Sequence, residues 1–392
     1  MLTLLAWLCT ILPILSLLYF STEVLAGLRP GGRWTAGGPK PRVTILIPAH
    51  DEAAIIADTL RALQGAIAAA TRIIVVADNC SDNTAEIARS EGAEVLERHD
   101  PTRRGKGYAL AFARDHLSAV PPQAVFVLDA DCRVRSGCVE EMCAYALSWG
   151  EPAQASNLLS SPRDSSPLVL LSNFAMLMKN LVRARGLYRL SGGATLFGTG
   201  MAFPWHLFAR LRLETSEAVE DLSLSLDLAA SGIKVHLYEN LSVTSPSAGL
   251  DDSLGQRRRW EHGFLAHGAR YAVPFLVRGA LHGSRYLTLQ GAHLLVPPVA
   301  LLFFLAVAML GVAGILTVLG ASPWPAAFLF AGVAVALTSI ALAWLAAGRS
   351  TIPLKALALA PLYVAWKIPL YTAFIFSRHT DWNRTRRANE ET

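Results

Sequence analysis

The distribution of charged residues along the chain constrains its fold more than any other feature. Residues 286–348 contain no Asp, Glu, Lys or Arg, and Pro323 and Pro325 interrupt this apolar stretch near its middle. About 20 apolar helical residues span a hydrocarbon layer of about 30 Å. The stretch therefore predicts two membrane crossings, at Val296 to Leu319 and Pro325 to Ala347, and the polar residues must form a separate domain.

The N-terminal residues form a second apolar region. Met1 to Gly27 contains one charged residue, Glu23, and basic residues follow at positions 29, 33, 40 and 42. Because basic residues favour the cytoplasmic side, this order predicts a membrane anchor at residues 1–28 and a linker at 29–41 that leads into a cytoplasmic domain. A cleaved signal peptide is the alternative, although no basic residue precedes the apolar run.

A third apolar segment follows the two predicted crossings. Ile352 to Ser377 contains Lys355, Lys367 and three prolines, so it either crosses the bilayer or lies in its interface. The two alternatives place the basic tail, residues 378–392, on opposite sides of the membrane. We expect two to three helices in residues 286–377 of a multi-pass protein of the inner or plasma membrane.

Composition indicates the environment and the partners of the chain. It is 53% hydrophobic with a net charge of +5, and its basic residues lie beside apolar segments without interleaved aromatic residues. A lipid bilayer is therefore a better partner than nucleic acid. Five cysteines without Cys-x-x-Cys spacing predict neither a disulfide framework nor a zinc site.

Residues 42–250 alternate between short β-rich runs and helical runs, a pattern typical of a mostly parallel α/β sheet. Strands are predicted at Val43 to Pro48, Arg72 to Ala77, Ala93 to Glu97 and Ala124 to Leu128, and helices at Glu52 to Ala70, Asp82 to Glu91 and Lys106 to Leu117. Ligands of such sheets bind at the carboxyl ends of the strands. We therefore expect the functional residues where these strands end.

Polar residues follow the first two predicted strands. Asp51 and Glu52 follow the first strand, and Asp78 to Asp82 follow the second. Asp78 is a candidate to accept hydrogen bonds from a nucleotide base. The structural alternative is that Asp51 and Asp82 only cap the helices after them.

Asp129 and Asp131 follow the fourth predicted strand, two residues apart. Two carboxylates at a strand end suit Mg²⁺ or Mn²⁺, with the other ligands supplied by phosphate oxygens and water. Such an ion would neutralise a diphosphate leaving group. The alternative is a turn in which one Asp acts as a cap.

Glu220 and Asp221 precede the run Leu222 to Leu226, at the start of a predicted helix. An acidic helix cap is the structural interpretation. The functional interpretation is that Asp221 accepts the proton of an acceptor hydroxyl as its oxygen attacks a sugar carbon.

Residues 251–285 form a basic, aromatic-rich segment that leads into the membrane region. On a helix, Gln256, Arg259 and Trp260 share one face. Arg259 is a candidate to stabilise charge on a diphosphate, and Trp260 offers a flat ring to a sugar acceptor. The alternative is an interfacial helix with Arg at the lipid headgroups and Trp in the aromatic belt.

Together and in this order, these elements resemble the family-two glycosyltransferases, in particular the membrane-integrated branch with cellulose, chitin, hyaluronan and poly-N-acetylglucosamine synthases and ceramide glucosyltransferases. Val43 to Glu52 is similar to the family's opening strand, and Val76 to Asp82 to its Asp-Asp-Gly-Ser-x-Asp segment. Gln256, Arg259 and Trp260 match the Gln-x-x-Arg-Trp motif of this branch. The resemblance implies a GT-A fold, which is Rossmann-like with a mostly parallel sheet, joined to transmembrane α-helices.

The resemblance also implies roles for individual residues. It assigns donor binding to Ala49, Glu52, Asp78, Lys106 and Asp129, with Asp78 on uracil and Lys106 near the diphosphate, and metal binding to Asp129 and Asp131. It assigns catalysis to Glu220, Asp221, Gln256, Arg259 and Trp260, with Asp221 as the base of the Thr-Glu-Asp motif, and the acceptor end to Gly198, Thr199, Gly200 and Trp260. Transfer is expected to invert configuration by one direct displacement.

Three functions follow from these observations. The first is a synthase that extends a polysaccharide from UDP-glucose or UDP-N-acetylglucosamine with Mg²⁺ or Mn²⁺. The second is a lipid glycosyltransferase that adds one sugar to a membrane lipid, and the motifs do not separate it from the first. The third, a catalytically silent scaffold or transporter, is disfavoured because the motif residues are all present and charged residues are scarce in the apolar region.

Overall fold

The computed structural model describes residues 1–376 except 36, 163, 218, 248 and 249, and these residues form two compact units. The helical unit comprises Met1–Pro30, Ser161–Ser191 and the described residues from Glu261 onwards. The sheet unit comprises Gly31–Ser160 and Gly192–Trp260. Residues 161–191 thus belong to the helical unit, although they fall within the 42–250 range predicted for the soluble domain.

The strands and helices are numbered in chain order. The strands are β1 (Val43–Ala49), β2 (Arg72–Asp78), β3 (Glu94–Arg98), β4 (Ala124–Val127), β5 (Ala153–Ser160), β6 (Met201–Pro204) and β7 (His236–Pro246). The helices are α1 (Leu2–Gly27), α2 (Ile56–Gln64), α3 (Thr84–Ser90), α4 (Lys106–Leu117), α5 (Cys138–Trp149), α6 (Pro167–Leu177), α7 (Ala184–Ser191), α8 (Trp205–Phe208), α9 (Glu220–Ala230), α10 (Leu250–Leu281), α11 (Arg285–Leu295), α12 (Val299–Val318), α13 (Trp324–Ala343), α14 (Leu354–Leu357) and α15 (Ala360–Phe376). Two π-helical segments, Met178–Arg183 and Trp344–Gly348, follow α6 and α13.

The sheet unit is built on one seven-stranded sheet with the order β3-β2-β1-β4-β6-β5-β7. The pairs β1–β2, β1–β4, β2–β3 and β5–β7 are parallel, and β6 is antiparallel to both β4 and β5. The prediction of a mostly parallel α/β sheet is therefore confirmed. The antiparallel β6 was not predicted, since four residues are too few to display a strand pattern.

Alternate residues of β1 face two hydrophobic cores, one on each side of the sheet. Ile45 and Ile47 pack in a core that includes residues of α2 and α5, such as Leu60 and Met142. Leu46 packs in the other core with residues of α4 and β6. A central parallel strand buried on both faces explains why β1 reads as a continuous apolar run.

The predicted helix at Glu52 to Ala70 is shorter in the structure, because its first residues are held in a loop. The N–H of Glu52 donates to Thr84 Oγ1 over 2.7 Å, and the N–H of Ala53 donates to Asp82 Oδ2 over 3.0 Å. These bonds tie the segment after β1 to the loop after β2, so α2 begins only at Ile56. The helix predicted at Lys106 to Leu117 has the predicted bounds.

The helical unit contains three helices that are long and apolar enough to cross a membrane. They are Leu2–Gly27, Val299–Val318 and Trp324–Gly348. Within the described residues, the segment predicted at Ile352 to Ser377 forms α14 and the 17-residue α15. In α15, buried Lys367 forms an ion pair with Glu261. Ser377 and the basic tail at 378–392 lie outside the described residues.

Two close backbone contacts hold α1 within the helical unit. A Cβ added to Gly27 would lie 1.8 Å from the carbonyl oxygen of Val182, and one added to Gly186 would lie 1.8 Å from that of Glu23. Any side chain larger than hydrogen would push these backbones apart. The two glycines therefore permit the approach of α1 to the helical segment that contains residues 178–191.

A buried ionic cluster lies beside these contacts. The Glu23 side chain is fully buried, and its Oε2 accepts from Arg183 Nε over 2.7 Å while its Oε1 lies 2.6 Å from His293 Nδ1. The Arg183 guanidinium also lies over the Phe20 ring. Both oxygens of the carboxylate are thus paired, as a buried charge requires.

Candidate functional site

Lys106, the first residue of α4, points into the sheet unit toward acidic side chains. Its Nζ donates to Asp129 Oδ1 and, over 2.6 Å, to the carbonyl oxygen of Gly198. The flanking glycines permit this placement: Gly105 has a φ of 126°, and a Cβ on Gly107 would lie 2.2 Å from the carbonyl oxygen of Leu213. Larger residues on either side of Lys106 would displace the ammonium group.

Asp129 and Asp131 lie immediately after β4, as predicted. The N–H of Asp129 donates to Thr199 Oγ1 over 3.0 Å, which fixes the start of this turn. One oxygen from each carboxylate and the sulfur of Cys132 lie within 4.8 Å of one another. Carboxylate oxygens in this arrangement fit Mg²⁺ or Mn²⁺. Sequence reasoning missed Cys132, because it considered cysteines only in pairs.

Glu220 and Asp221 form the first turn of α9. The residue before them, Val219, occupies the N-cap position, so neither carboxylate is the helix cap. A Cβ on Gly198 would lie 3.4 Å from Asp221 Oδ2 and 3.9 Å from Lys106 Nζ, which places Asp221 and Lys106 around the same glycine. The turn that contains Asp129 and the first turn of α9 therefore meet at Lys106.

The charges of this group perturb one another. Burial alone would lower the pKa of Lys106, but Asp129 and Glu220 outweigh burial and raise it, so Lys106 is charged. Burial and the neighbouring Asp221 raise the pKa of Glu220 to about 7, against the opposing effect of Lys106. The single ammonium group of Lys106 thus interacts with several carboxylates at once.

Asp78 ends β2 and is buried, in contact with Arg98 from the end of β3. Arg98 Nη1 donates to Asp78 Oδ1 over 2.6 Å and to the carbonyl oxygen of Arg103 over 2.8 Å, and Arg98 Nη2 donates to Asp100. The Asn79 side chain also donates to Asp78 Oδ1, and Asn79 has a φ of 54°. The contact of Arg98 with Asp78 was not predicted, since the sequence of β3 does not show which neighbouring strand its last residue contacts.

The other residues after β1 and β2 shape the loops around this strand edge. Asp82 Oδ1 accepts from the N–H of Thr84 over 3.0 Å at the start of α3, although the N-cap residue of this helix is Asn83 and not Asp82. Asp51 Oδ1 instead accepts from the N–H of Ser81 over 2.6 Å, in the neighbouring loop. Ala49 is the last, buried residue of β1, and its carbonyl oxygen accepts from the Cys80 thiol.

Gly198, Thr199 and Gly200 run directly into β6. Thr199 is buried and holds Asp129, as described above. The N–H of Gly200 donates to the carbonyl oxygen of Val127 over 2.9 Å, which joins this segment to β4. Of the three, Gly198 is the one whose missing side chain leaves space beside Lys106 and Asp221.

Gln256, Arg259 and Trp260 lie on α10, so the helix and shared face predicted for them are present. All three are partly buried, and burial lowers the pKa of Arg259. The guanidinium of Arg257 lies 5.4 Å from the centre of the Trp260 ring.

Comparison with known proteins places this geometry in context. Residues 41–263 match the family model described as glycosyltransferase like family 2. The probable glycosyltransferase YdaM of Bacillus subtilis (strain 168) is 33% identical over 120 residues, which covers 28% of this chain and 26% of YdaM. The chain thus matches about a quarter of that relative's length.

A solved structure shares the fold over almost the whole chain. The mannosyltransferase PcManGT from Pyrobaculum calidifontis, in complex with GDP-Man and Mn²⁺, superposes with a TM-score of 0.58 at 16% identity. The match covers 97% of this chain and 100% of PcManGT. The sheet unit accordingly has the GT-A fold that the sequence resemblance implied.

Proposed function

Since the chain belongs to the family-2-like glycosyltransferases, we propose that it transfers a sugar from a UDP-sugar, of the UDP-glucose or UDP-N-acetylglucosamine class, to a growing polysaccharide with inversion of configuration. One observation carries the proposal: the carboxylates after β4 and at the start of α9 meet around Lys106. The carboxylates after β4 lie where the diphosphate would depart, and those at the start of α9 include a base for the acceptor hydroxyl.

The donor end of the site lies at Asp129, Asp131 and Lys106. Asp129 and Asp131 would hold Mg²⁺ or Mn²⁺, which supplies neutralisation of charge on the departing nucleoside diphosphate. Lys106 stands at the N-terminus of α4, where backbone N–H groups and the helix dipole also favour an anion. This end of α4 carries no acidic residue in its first turn, so its positive potential is available to phosphate oxygens.

Asp221 is the proposed base. As the acceptor oxygen forms its bond to the anomeric carbon, the bond from that carbon to the diphosphate oxygen breaks, and Asp221 takes the hydroxyl proton. Gly198 leaves space for the acceptor beside Asp221. Glu220 contributes negative charge next to Asp221 and stays partly protonated near neutral pH, since its pKa is about 7.

Recognition of the two substrates is assigned to the flanking residues. Arg98 holds Asp78 through Oδ1, which leaves Oδ2 to accept an N–H from uracil at the edge formed by Ala49 and Glu52. Gln256, Arg259 and Trp260 are proposed to face the diphosphate and the acceptor, together with Thr199 and Gly200. An aromatic ring such as Trp260 suits the apolar face of a sugar.

The protein is proposed to work in the inner or plasma membrane with its catalytic domain in the cytoplasm. Three helices of sufficient length and hydropathy support membrane insertion, and the basic residues after α1 favour a cytoplasmic start of the sheet unit. We propose the domain boundaries 1–28, 29–41, 42–250, 251–285, 286–377 and 378–392 from the sequence, with residues 161–191 assigned to the helical unit and the segment 251–285 divided after Trp260.

The test is nucleotide release by the protein purified in detergent or nanodiscs. UDP-sugars and GDP-mannose are supplied with Mg²⁺, Mn²⁺ or a chelator, and radiolabelled products are separated by size. We expect metal-dependent UDP release, a ladder of products, and a loss of about 10²–10⁴-fold in Asp221→Asn. Asp227→Asn, an exposed carboxylate on the same helix, is the matched control and should be fully active.

Each other outcome changes the proposal in a defined way. A single lipid-soluble product would replace the polysaccharide synthase with a lipid glycosyltransferase. Release of GDP from GDP-mannose, without release of UDP from any UDP-sugar, would show that the donor is a guanosine and not a uridine nucleotide sugar. An Asp221→Asn variant as active as the Asp227→Asn variant would remove Asp221 as the base, and no release from any donor would overturn the enzymatic proposal.

A further inference from the structure

The ammonium group of Lys106 bonds to a carboxylate that is also a candidate metal ligand. Asp129 Oδ1 accepts from Lys106, and one oxygen of the same carboxylate lies within 4.8 Å of an oxygen of Asp131 and of the sulfur of Cys132. The Lys106 side chain is only 15% exposed, whereas that of Asp129 is 38% exposed. A divalent ion can approach Asp129 from solvent, but it meets a carboxylate that a buried cation already neutralises.

We propose that Lys106 is a displaceable internal counter-ion, which holds Asp129 until a nucleotide diphosphate arrives and accepts it in place of Asp129. The proposal rests on the metal-dependent transfer proposed above. It adds that the metal and the nucleotide bind as a coupled pair, because the diphosphate gives Lys106 an anionic hydrogen-bond acceptor in place of Asp129, whereas Glu220 and Asp221 act on Lys106 through their charge. Metal alone would bind weakly.

The electrostatics of Lys106 explain why it cannot simply give up Asp129. A buried ammonium group requires an anionic partner, because burial removes the water that would otherwise solvate its charge. A divalent ion on Asp129 would both remove that partner and repel the ammonium group. Diphosphate oxygens relieve both effects, since they neutralise the metal and accept from Lys106.

The position of Lys106 in the chain favours such an exchange. A cation is disfavoured at a helix N-terminus, so the first turn of α4 does not stabilise Lys106 and instead attracts an anion toward it. Gly105 and Gly107 place Lys106 at this turn by their backbone requirements. The local structure is thus arranged for Lys106 to meet an anion that is not part of the protein.

Coupling of this kind is reciprocal. If UDP raises the affinity for the metal by some factor, the metal must raise the affinity for UDP by the same factor. Removing the ammonium group should reduce that factor, because the metal then no longer needs the nucleotide to displace a competitor. Lys106→Met keeps the length of the side chain and removes its charge.

The experiment measures Mn²⁺ binding to the full-length protein by electron paramagnetic resonance, with and without UDP. In the wild-type protein, UDP should tighten Mn²⁺ binding at least tenfold. In Lys106→Met, Mn²⁺ without UDP should bind about ten times more tightly than in the wild type, and the effect of UDP should shrink. Lys106→Arg, which keeps the charge, should resemble the wild type, and Lys234→Met controls for loss of a lysine elsewhere.

Two results would overturn the inference. In a protein that turns over its donor with metal, equal or weaker Mn²⁺ binding in a folded Lys106→Met variant would remove the counter-ion role and leave the proposed function intact. An absence of Mn²⁺ binding in every variant, with UDP present, would overturn both the metal-dependent function and the inference. Thermal unfolding of each variant shows whether it is folded, and Lys106→Arg provides the comparison should Lys106→Met be unfolded.

Discussion

The two units of the molecule each contain a buried ionic cluster, and the clusters differ in charge balance. In the helical unit, Glu23 is fully buried and both of its oxygens are paired, by Arg183 and His293. In the sheet unit, Lys106 is shared among Asp129, Glu220 and Asp221, so negative charge exceeds positive charge. Breaking a balanced buried cluster leaves an uncompensated charge, whereas the excess negative charge around Lys106 is one that a cationic ligand would neutralise.

The clusters also differ in the backbone that carries them. Glu23, Arg183 and His293 lie within helical segments, whose spacing is rigid. The residues of the sheet unit lie in turns and at helix ends: Asp129 follows β4, Lys106 begins α4, and Asp221 belongs to the first turn of α9. Such positions permit the rearrangement that a reaction requires, and rigid helices do not.

The comparison predicts a large loss of stability when the balanced cluster is broken. Glu23→Gln leaves the buried Arg183 without a counter-charge, and we expect the free energy of unfolding to fall by about 3–5 kcal/mol. Denaturant unfolding in detergent measures this. Glu97→Gln, which breaks the exposed Arg89–Glu97 pair, is the control and should cost much less, because solvent screens an exposed pair. Equal losses in the two variants would contradict the structural role of the Glu23 cluster.

The backbone contact next to that cluster is expected to have a smaller effect. Gly186→Ala would place a Cβ 1.8 Å from the carbonyl oxygen of Glu23, so the backbone must shift, at about 1–3 kcal/mol. Gly314→Ala, in α12, has open space around its added Cβ and should be neutral or slightly stabilising. Thermal unfolding of the two variants side by side is the measurement, and a stable Gly186→Ala variant would show that α1 does not require this contact.

The smallest effect is expected in the unbalanced cluster, and it depends on pH. The pKa of Glu220 is raised from 4.5 to about 7, so protonated Glu220 favours the folded state. Its stabilising contribution is complete below about pH 4.5 and is lost as the pH rises through about 7. Glu220→Gln, which cannot ionise, should therefore gain thermal stability relative to the wild type between pH 5 and pH 8 without metal.

A melting-temperature difference between Glu220→Gln and the wild type that does not change with pH would contradict this interpretation. Glu217→Gln, a nearby substitution outside the cluster, controls for the loss of a carboxylate. The sign of the effect is opposite to that of Glu23→Gln at neutral pH. These opposite changes in stability distinguish the two clusters most clearly.

Much of the sheet unit could be predicted from sequence, because its first four strands are buried, regular and separated by helices. Their predicted bounds agree with β1 to β4 to within one residue at each end. The strands β5, β6 and β7 were not predicted. β5 and β7 contain polar residues without a sustained alternation, and the apolar β6 has only four residues, so no pattern long enough to predict a strand marks them.

The grouping of residues 161–191 with the helical unit could not be predicted from the sequence either. Their apolar helix α6 is too short to span a bilayer and resembles a helix of a soluble core. Tertiary contacts, such as the pairing of Arg183 with Glu23 and the close approach at Gly186, assign the segment to the helical unit.

The sequence by itself determined which residues end the strands and begin the helices, since these positions depend on local pattern: Asp78, Asp129, Lys106 and Asp221 all follow from it. The tertiary structure alone decided which of them meet. Lys106 lies 23 residues from Asp129 and 92 from Gly198, yet its Nζ bonds to both. Contacts over such separations depend on the order of strands in the sheet, and no local pattern encodes that order.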